Sequence, residues 1–291
     1  MPSFSVLHTL LREVLTRHQA GRIPEPDLVM DDPDKVAAYT RAGLEDGVMA
    51  AVYLYNCAQI CDVIRPDDLV LDLACGPATQ LGMAARLNPA TRFIGIDMSG
   101  PMLARAEDHV AQQGLRNVSF RQGDICHLDM FDDHSMDAVI STLALHHLPT
   151  AEHLNQTLAE VGRVLKPGGG LYLLDFGRLK SERSMLYFSR QHADKQPELF
   201  TQDYLDSLRA AFSLDQFHSA AQALRGHARL YSTFIVPFMV AIKSPSRRGS
   251  DPALLAQLKS IKDALPAFQR ADLSQLEQFF RWGGLANPLL P

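Results

Sequence analysis

The spacing of apolar positions changes character twice along the chain. In residues 4–18, Phe4, Leu7, Leu11 and Val14 recur at three- and four-residue steps, which predicts an amphipathic helix. A loop rich in proline and acid, PEPDLVMDDPDK over 24–35, follows, and residues 36–63 read as helical again. From residue 68 short apolar runs alternate with helical ones: LVLDLA, an alanine-rich helix over 79–87, RFIGID, a helix over 101–114, VSFRQGD, DAVISTLAL, a helix over 151–165, and GLYLLDFG. That alternation predicts βαβ units, and so an α/β fold whose parallel sheet is covered on both faces. Beyond Gly177 the pattern turns helical, polar and aromatic-rich over 181–213. RLYSTFIVPFMVAIKSP over 229–245 reads as two strands broken at Pro237, SPSRRGSDP over 244–252 as a linker, and 252–264 and 272–282 as helices. The shifts divide the chain into an N-terminal helical cap (1–66), a main domain (67–245) with a lid insertion at about 178–215, and a C-terminal helical extension (246–291).

Composition narrows the class. With 46% hydrophobic residues in 291, the chain can bury a large core. Its 28 basic residues stand against 33 acidic ones, a net charge of -5 with no long basic run, so a nucleic-acid partner is not expected. Four cysteines (Cys57, Cys61, Cys75 and Cys126) are too few for a disulfide framework, and a reducing cytoplasm is the expected location. The first residues lack a basic run before their apolar stretch, unlike a signal peptide. The longest apolar stretch, Phe234 to Ile242, is too short to span a membrane.

Candidate chemistry gathers at the predicted strand ends. Residues 70–78 read VLDLACGPA, with Ala74, Gly76 and Ala78 small enough to let a ligand approach the backbone. The helix start that follows favours a negative group such as a carboxylate. A P-loop is excluded, because no Lys-Ser or Lys-Thr follows at the required spacing. The dinucleotide fingerprint fails as well, with Ala74 and Thr79 where its first and third glycines belong. Asp72 opens the turn, Asp97 tips the second strand in FIGIDMS, and Asp124 tips the third in GDI. A carboxylate at 97 can accept two hydrogen bonds from a ribose diol, and one at 124 can accept from an adenine amino group. A single aspartate at such a place is commonly a turn cap. Three at successive strand ends describe a nucleoside site with no phosphate requirement.

Four segments in order, VLDLACGPA, DMSGPMLARA, QGDICHL and EVGRVLKPGGGLYLLD, resemble the motifs of the class I S-adenosylmethionine-dependent methyltransferases. The likeness covers about residues 60–180 and the last strands to about 245. It is nearest to the small-molecule branch that includes the ubiquinone/menaquinone C-methyltransferases. The resemblance implies a Rossmann-like, doubly wound, mostly parallel seven-stranded sheet. It implies S-adenosylmethionine as cofactor, S-adenosylhomocysteine as product, and a small-molecule acceptor methylated at O, N, S or C. It further implies that Ala74, Cys75 and Gly76 line the methionine moiety, that Asp97 holds the ribose and that Met98 covers the adenine. Asp124 and Ile125 would meet the adenine edge, and Thr142 would face the sulfonium. Alanines at 74 and 78 depart from the family's usual glycines, and Ala78 would narrow the room beside the methionine part.

The acceptor side is less specific. STLALHHLP (141–149) puts His146 and His147 at the mouth of the site, either to deprotonate an acceptor or to orient the loop. Ser141 and Thr142 stand where metal-dependent catechol methylation needs carboxylates, so no metal is expected. Neither the Asp/Asn-Pro-Pro-aromatic motif of amino-methylating DNA enzymes nor the Pro-Cys pair of nucleic-acid C5-methylation occurs. Cys57 and Cys61 share a helix face, as a metalloid acceptor site would require, although small buried packing residues are the favoured reading. Tyr39 and Tyr55 before the core, with Arg178, Tyr187 and His192 in the insertion, are candidates to hold a flat or anionic acceptor. Leu254, Leu258, Phe279, Phe280 and Trp282 in the extension must be buried, by packing back on the domain or in a homodimer through the terminal helices. Methylation of a peptide side chain and a non-catalytic S-adenosylmethionine-binding module are the alternatives, while a nicotinamide-dependent oxidoreductase is disfavoured by Ala74 and Thr79.

Overall fold

The computed structural model describes residues 4–25, 32–43, 47–224 and 226–290, apart from the side chains of Phe4, Pro33 and Tyr39. Seven strands form one sheet: β1 (Leu69–Leu73), β2 (Arg92–Asp97), β3 (Val118–Gln122), β4 (Met136–Thr142), β5 (Leu165–Phe176), β6 (Arg229–Ser232) and β7 (Met239–Lys243). Their order across the sheet is β3-β2-β1-β4-β5-β7-β6. β1 pairs in parallel with β2, Leu69 facing Arg92, and with β4, Val70 facing Ala138. Among the described residues β7 alone runs against the others, pairing antiparallel with β5 and β6. The central strands are short and almost wholly apolar because both of their faces are buried, as in a doubly wound sheet. The α/β fold and its mostly parallel seven-stranded sheet are as the sequence predicts.

Helices cover the two faces. α4 (Thr79–Leu87), α5 (Gly100–Gln112) and α6 (Ala151–Val164) are crossover connections of the βαβ units. α5 begins where Ser99 caps it, its hydroxyl accepting from the Met102 amide at 3.1 Å, with Pro101 in the first turn. α6 ends where Leu165 turns extended and enters β5.

One predicted helix is shortened and two predicted helical stretches are subdivided. α1 spans Phe4–Leu15, stopping short of 18. The stretch 36–63 holds α2 (Pro33–Ala42) and α3 (Ala50–Val63). The chain turns between them at Gly47, where a Cβ would lie 2.2 Å from the Ala42 carbonyl oxygen. The stretch 181–213 resolves into α7 (Glu182–Ser189) and α8 (Glu198–Ala210), with α9 (Leu214–Ala221) beyond. Pro197 ends the intervening turn and opens α8. At the C-terminus α10 (Pro252–Ala264) and α11 (Ala267–Trp282) follow, the latter starting five residues before the predicted point.

The extension is part of the core. Leu254, Leu258, Leu273 and Phe280 are buried against α3, where Phe280 stacks on Tyr55 with ring centroids 5.2 Å apart. Lys243 of β7 pairs with the buried Asp62 of α3, and Arg247 reaches Asp68 at 2.7 Å. These contacts fasten the α3 segment to the sheet's far half. No helix among the described residues is long and apolar enough to cross a membrane.

Candidate active site

Strand order reverses between β1 and β4, and in an open parallel sheet that is where a crevice forms outside the carboxyl ends of the strands. A cleft of about 160 Å³ lies there. The β1–α4 turn builds its floor. Ala74, Gly76 and Ala78 all take left-handed backbone angles, φ 51°, 52° and 57°. Two of the three are alanines in a conformation that favours glycine. The Asp97 carboxylate ties this turn to the next one, accepting from the Gly76 amide at 2.8 Å and from the Ser99 amide at 2.9 Å.

Ala74, Gly76, Asp97, Met98, Asp124 and Ile125 all line the cleft. Asp124 is braced by the Cys126 amide at 2.8 Å. Burial opposes its charge, but that bond and His127 beside it hold its carboxyl below the usual range. Asp72 lies beneath the floor, where burial first and Asp97 second push its carboxyl well up. Three sequence-predicted contacts are thereby corrected: Asp72, Cys75 and Thr142 do not line the cleft. Cys75 turns under the sheet, its Sγ so near Gly95 that a Cβ there would lie 2.7 Å away. Thr142 gives way to Leu143, the next residue, as the wall of the cleft. Sequence reasoning also missed Met102, Ala144, Leu148, Pro149 and His153. All but His153 are apolar or small and carry no signal distinguishing them from packing residues.

A second cavity of about 160 Å³ lies beyond Leu143 and is lined mainly by apolar side chains. Phe176 comes from β5, Phe188 from α7, Phe200 and Tyr204 from α8, and Phe279 from α11. His192 stands on this wall with its Nε2 2.7 Å from Asp272 of α11, beside the polar side chains of Gln191, Gln196, Thr233 and Gln275. Leu143 lines both the cleft and this cavity, and its φ of 55° is a strained value for a branched side chain.

The histidine pair sits in the partition. His146 is 2% exposed, its Nδ1 2.7 Å from Asp175 Oδ1 and its backbone amide donating to Asp175 Oδ2 at 3.0 Å. His147 lines the cleft and puts its Nδ1 2.6 Å from Glu25 Oε2. Glu25 also accepts from the Ser207 hydroxyl at 2.9 Å. Burial works against charge on both, yet the His147–Glu25 bond prevails, raising the imidazole's pKa and lowering the carboxyl's to about 2. Asp203 of α8 flanks the pair, pushed up to about 6 by burial and by Glu25. Arg22 fixes the segment that brings Glu25 in, donating to the carbonyls of His146, Leu148, Pro149 and Ala210 with its guanidinium 4.0 Å over the Phe212 ring. Neither Arg22 nor Glu25 carries a local sequence signal.

Of the other predicted acceptor residues, three serve elsewhere. Tyr55 is fully buried against Phe280 and lines neither cavity. Arg178 donates to the Ala211 carbonyl and to Gln216, holding the insertion to the sheet. Tyr187 lies 3.1 Å from the Ser5 hydroxyl and lines neither cavity. The Tyr39 side chain lies outside the described residues. Cys57 and Cys61 are wholly buried, and a hydrogen bond between them, then burial, raises the Cys57 thiol, so they pack α3 and open to no ligand.

Together these features define a Rossmann-like domain with a cleft at the strand ends lined by Asp97 and Asp124. Residues 70–169 match the family model described as a methyltransferase domain. The chain therefore carries a methyltransferase domain of the class I S-adenosylmethionine-dependent family. It is 30% identical over 168 residues to the ubiquinone/menaquinone biosynthesis C-methyltransferase UbiE of Teredinibacter turnerae, covering 56% of this chain and 66% of that one. To the demethylmenaquinone methyltransferase of Lactobacillus johnsonii it is 33% identical over 114 residues, 38% of this chain and 45% of the relative. It spans about half the length of the curated relatives it matches. Among solved structures, the plantazolicin methyltransferase BpumL in complex with SAH shares the fold, with a TM-score of 0.56, 16% identity, and coverage of 90% of this chain and 95% of that one.

Proposed function

We propose that the protein transfers a methyl group from S-adenosylmethionine to an apolar small molecule. The carrying observation is the junction at Leu143, one side of which is a cleft lined by Asp97 and Asp124 and the other a cavity walled by Phe176, Phe188 and Phe279. The cofactor would lie with its ribose on Asp97, its adenine edge at Asp124 and Ile125, Met98 over the ring, and its methionine part over Ala74 and Gly76. Methyl transfer from a sulfonium needs chiefly alignment of donor and acceptor, which two cavities meeting at one rigid residue supply. The acceptor would bury its apolar body among the aromatic residues and keep a polar substituent for the His192–Asp272 pair. His147, at the cleft side of the partition, would face the reacting atom.

Methyl-labelled S-adenosylmethionine offered with a panel of apolar phenols, quinols and fatty acids, beside amphipathic peptides, tests this reading. Label is expected in one class of apolar small molecules. Leu276→Trp, which fills the cavity from α11, is expected to abolish that transfer while S-adenosylhomocysteine still binds. Label in peptides alone, or cofactor binding with no transfer to any acceptor, would overturn it.

A further inference from the structure

The partition contains an arrangement that methyl transfer alone does not require. His146 Nδ1 is engaged by the Asp175 carboxylate, which fixes its ring proton on that nitrogen. Its Nε2 is buried and has no hydrogen-bond partner, with Glu25 Oε1 3.8 Å away. The Nδ1 of His147 adjoins the other oxygen of the same carboxylate. One ligand atom from each of Glu25, His146 and His147 falls within 4.8 Å of the other two.

We propose that Glu25, His146 and His147 form a binding site for a first-row divalent transition-metal ion. Two imidazole nitrogens and one carboxylate suit zinc, iron, cobalt or manganese better than magnesium or calcium, which prefer all-oxygen shells. The surroundings are those of a ligand shell. Asp175 holds the far side of His146, one of the acceptors (carboxylate, backbone carbonyl or water) that regularly stand behind metal-bound histidines, and Ser207 orients Glu25. Asp203, facing the group from α8, adds negative potential. Arg22, a cation that acts on Glu25 and Asp175, is committed to backbone carbonyls. The carboxylate that Ser141 and Thr142 do not offer after β4 comes from Glu25, far away in sequence. Three protein ligands leave positions open for a further one, as in catalytic rather than structural sites. His147 lines the cofactor cleft, and both histidines line the recess leading past Leu143 toward the apolar cavity. On the methyltransferase reading, the open positions would meet an acceptor oxygen; ion binding itself does not depend on that reading.

The test uses the full chain, stripped with chelator and titrated with cobalt(II) chloride while visible absorption is followed, without cofactor or acceptor. One equivalent is expected to bind with d–d bands of a low-symmetry nitrogen–oxygen site, and zinc(II) is expected to displace it. Glu25→Gln and His147→Gln are each expected to weaken binding at least tenfold. Circular dichroism and urea unfolding establish that the variants are folded, and S-adenosylhomocysteine titration of the metal-free parent separates this proposal from the cofactor assignment. No cobalt uptake by the folded parent, or uptake unchanged in both folded variants, would overturn the site.

Discussion

Leu143 shows how a site can hide in an apolar run. In LALHHL it reads as the continuation of β4, yet it adopts a left-handed backbone conformation and forms the common wall of cleft and cavity. The acids were legible because a carboxylate at a strand tip is a distinct chemical signal, and Asp97 and Asp124 both reach the cleft. Cys75 and Thr142 were misplaced because one residue of phase at a strand end decides which side chain faces the ligand. The same turn predicts a stability effect. A left-handed alanine costs about 1–2 kcal/mol, of which glycine's extra freedom in the unfolded chain takes back about 0.4–1 kcal/mol. Ala74→Gly, at a partly buried position in the cleft, is therefore expected to stabilise by about 0.5–1 kcal/mol, read as a raised midpoint in urea unfolding. A lowered midpoint would contradict the strain.

At the scale of elements, the sheet and its crossover helices were legible because buried parallel strands and amphipathic helices carry different periods. Breaks inside helical stretches were not. Gly47 and Pro197 interrupt patterns whose apolar spacing continues across the gap. The segment 16–25, which carries Arg22 and Glu25, has no periodicity, since its place is set by bonds to remote loops. Arg22→Ala removes four such bonds and the stacking on Phe212. At about 0.5–1.5 kcal/mol for each bond, and less than their sum because the carbonyls can take water, we expect about 2–3 kcal/mol of lost stability. S-adenosylhomocysteine affinity should fall with it, because Leu148 and Pro149 line the cleft. Unchanged unfolding and unchanged binding would show that the segment is not anchored there.

For the whole molecule, the extension is a structural wall as well as a site wall. Its burial was legible from composition, apart from Trp282, which stays half-exposed, but not the surface that covers it. Phe280→Ala would leave a void beside Tyr55, and a large core truncation of this kind costs about 3–5 kcal/mol, visible in chemical denaturation. A cost below about 1 kcal/mol, the range of tolerant sites, would mean that α11 is loosely attached. Trp282, the single tryptophan, is 49% exposed and packs edge-on against Phe234 and Phe279 of the apolar cavity. Its fluorescence should shift when an acceptor enters and stay constant when S-adenosylhomocysteine alone binds. A shift with S-adenosylhomocysteine alone would place the two ligands differently.

The most direct test of the central claim is calorimetric titration of the full chain and of Asp97→Ala with S-adenosylhomocysteine. Hydrogen bonds to a charged group contribute about 1.5–3 kcal/mol, or about ten- to a hundredfold in affinity. One-to-one binding by the parent, weakened by that factor in a variant that remains folded, is the predicted result. Absence of binding, or equal binding by parent and variant, would contradict the cofactor's placement in the cleft and the roles assigned around it.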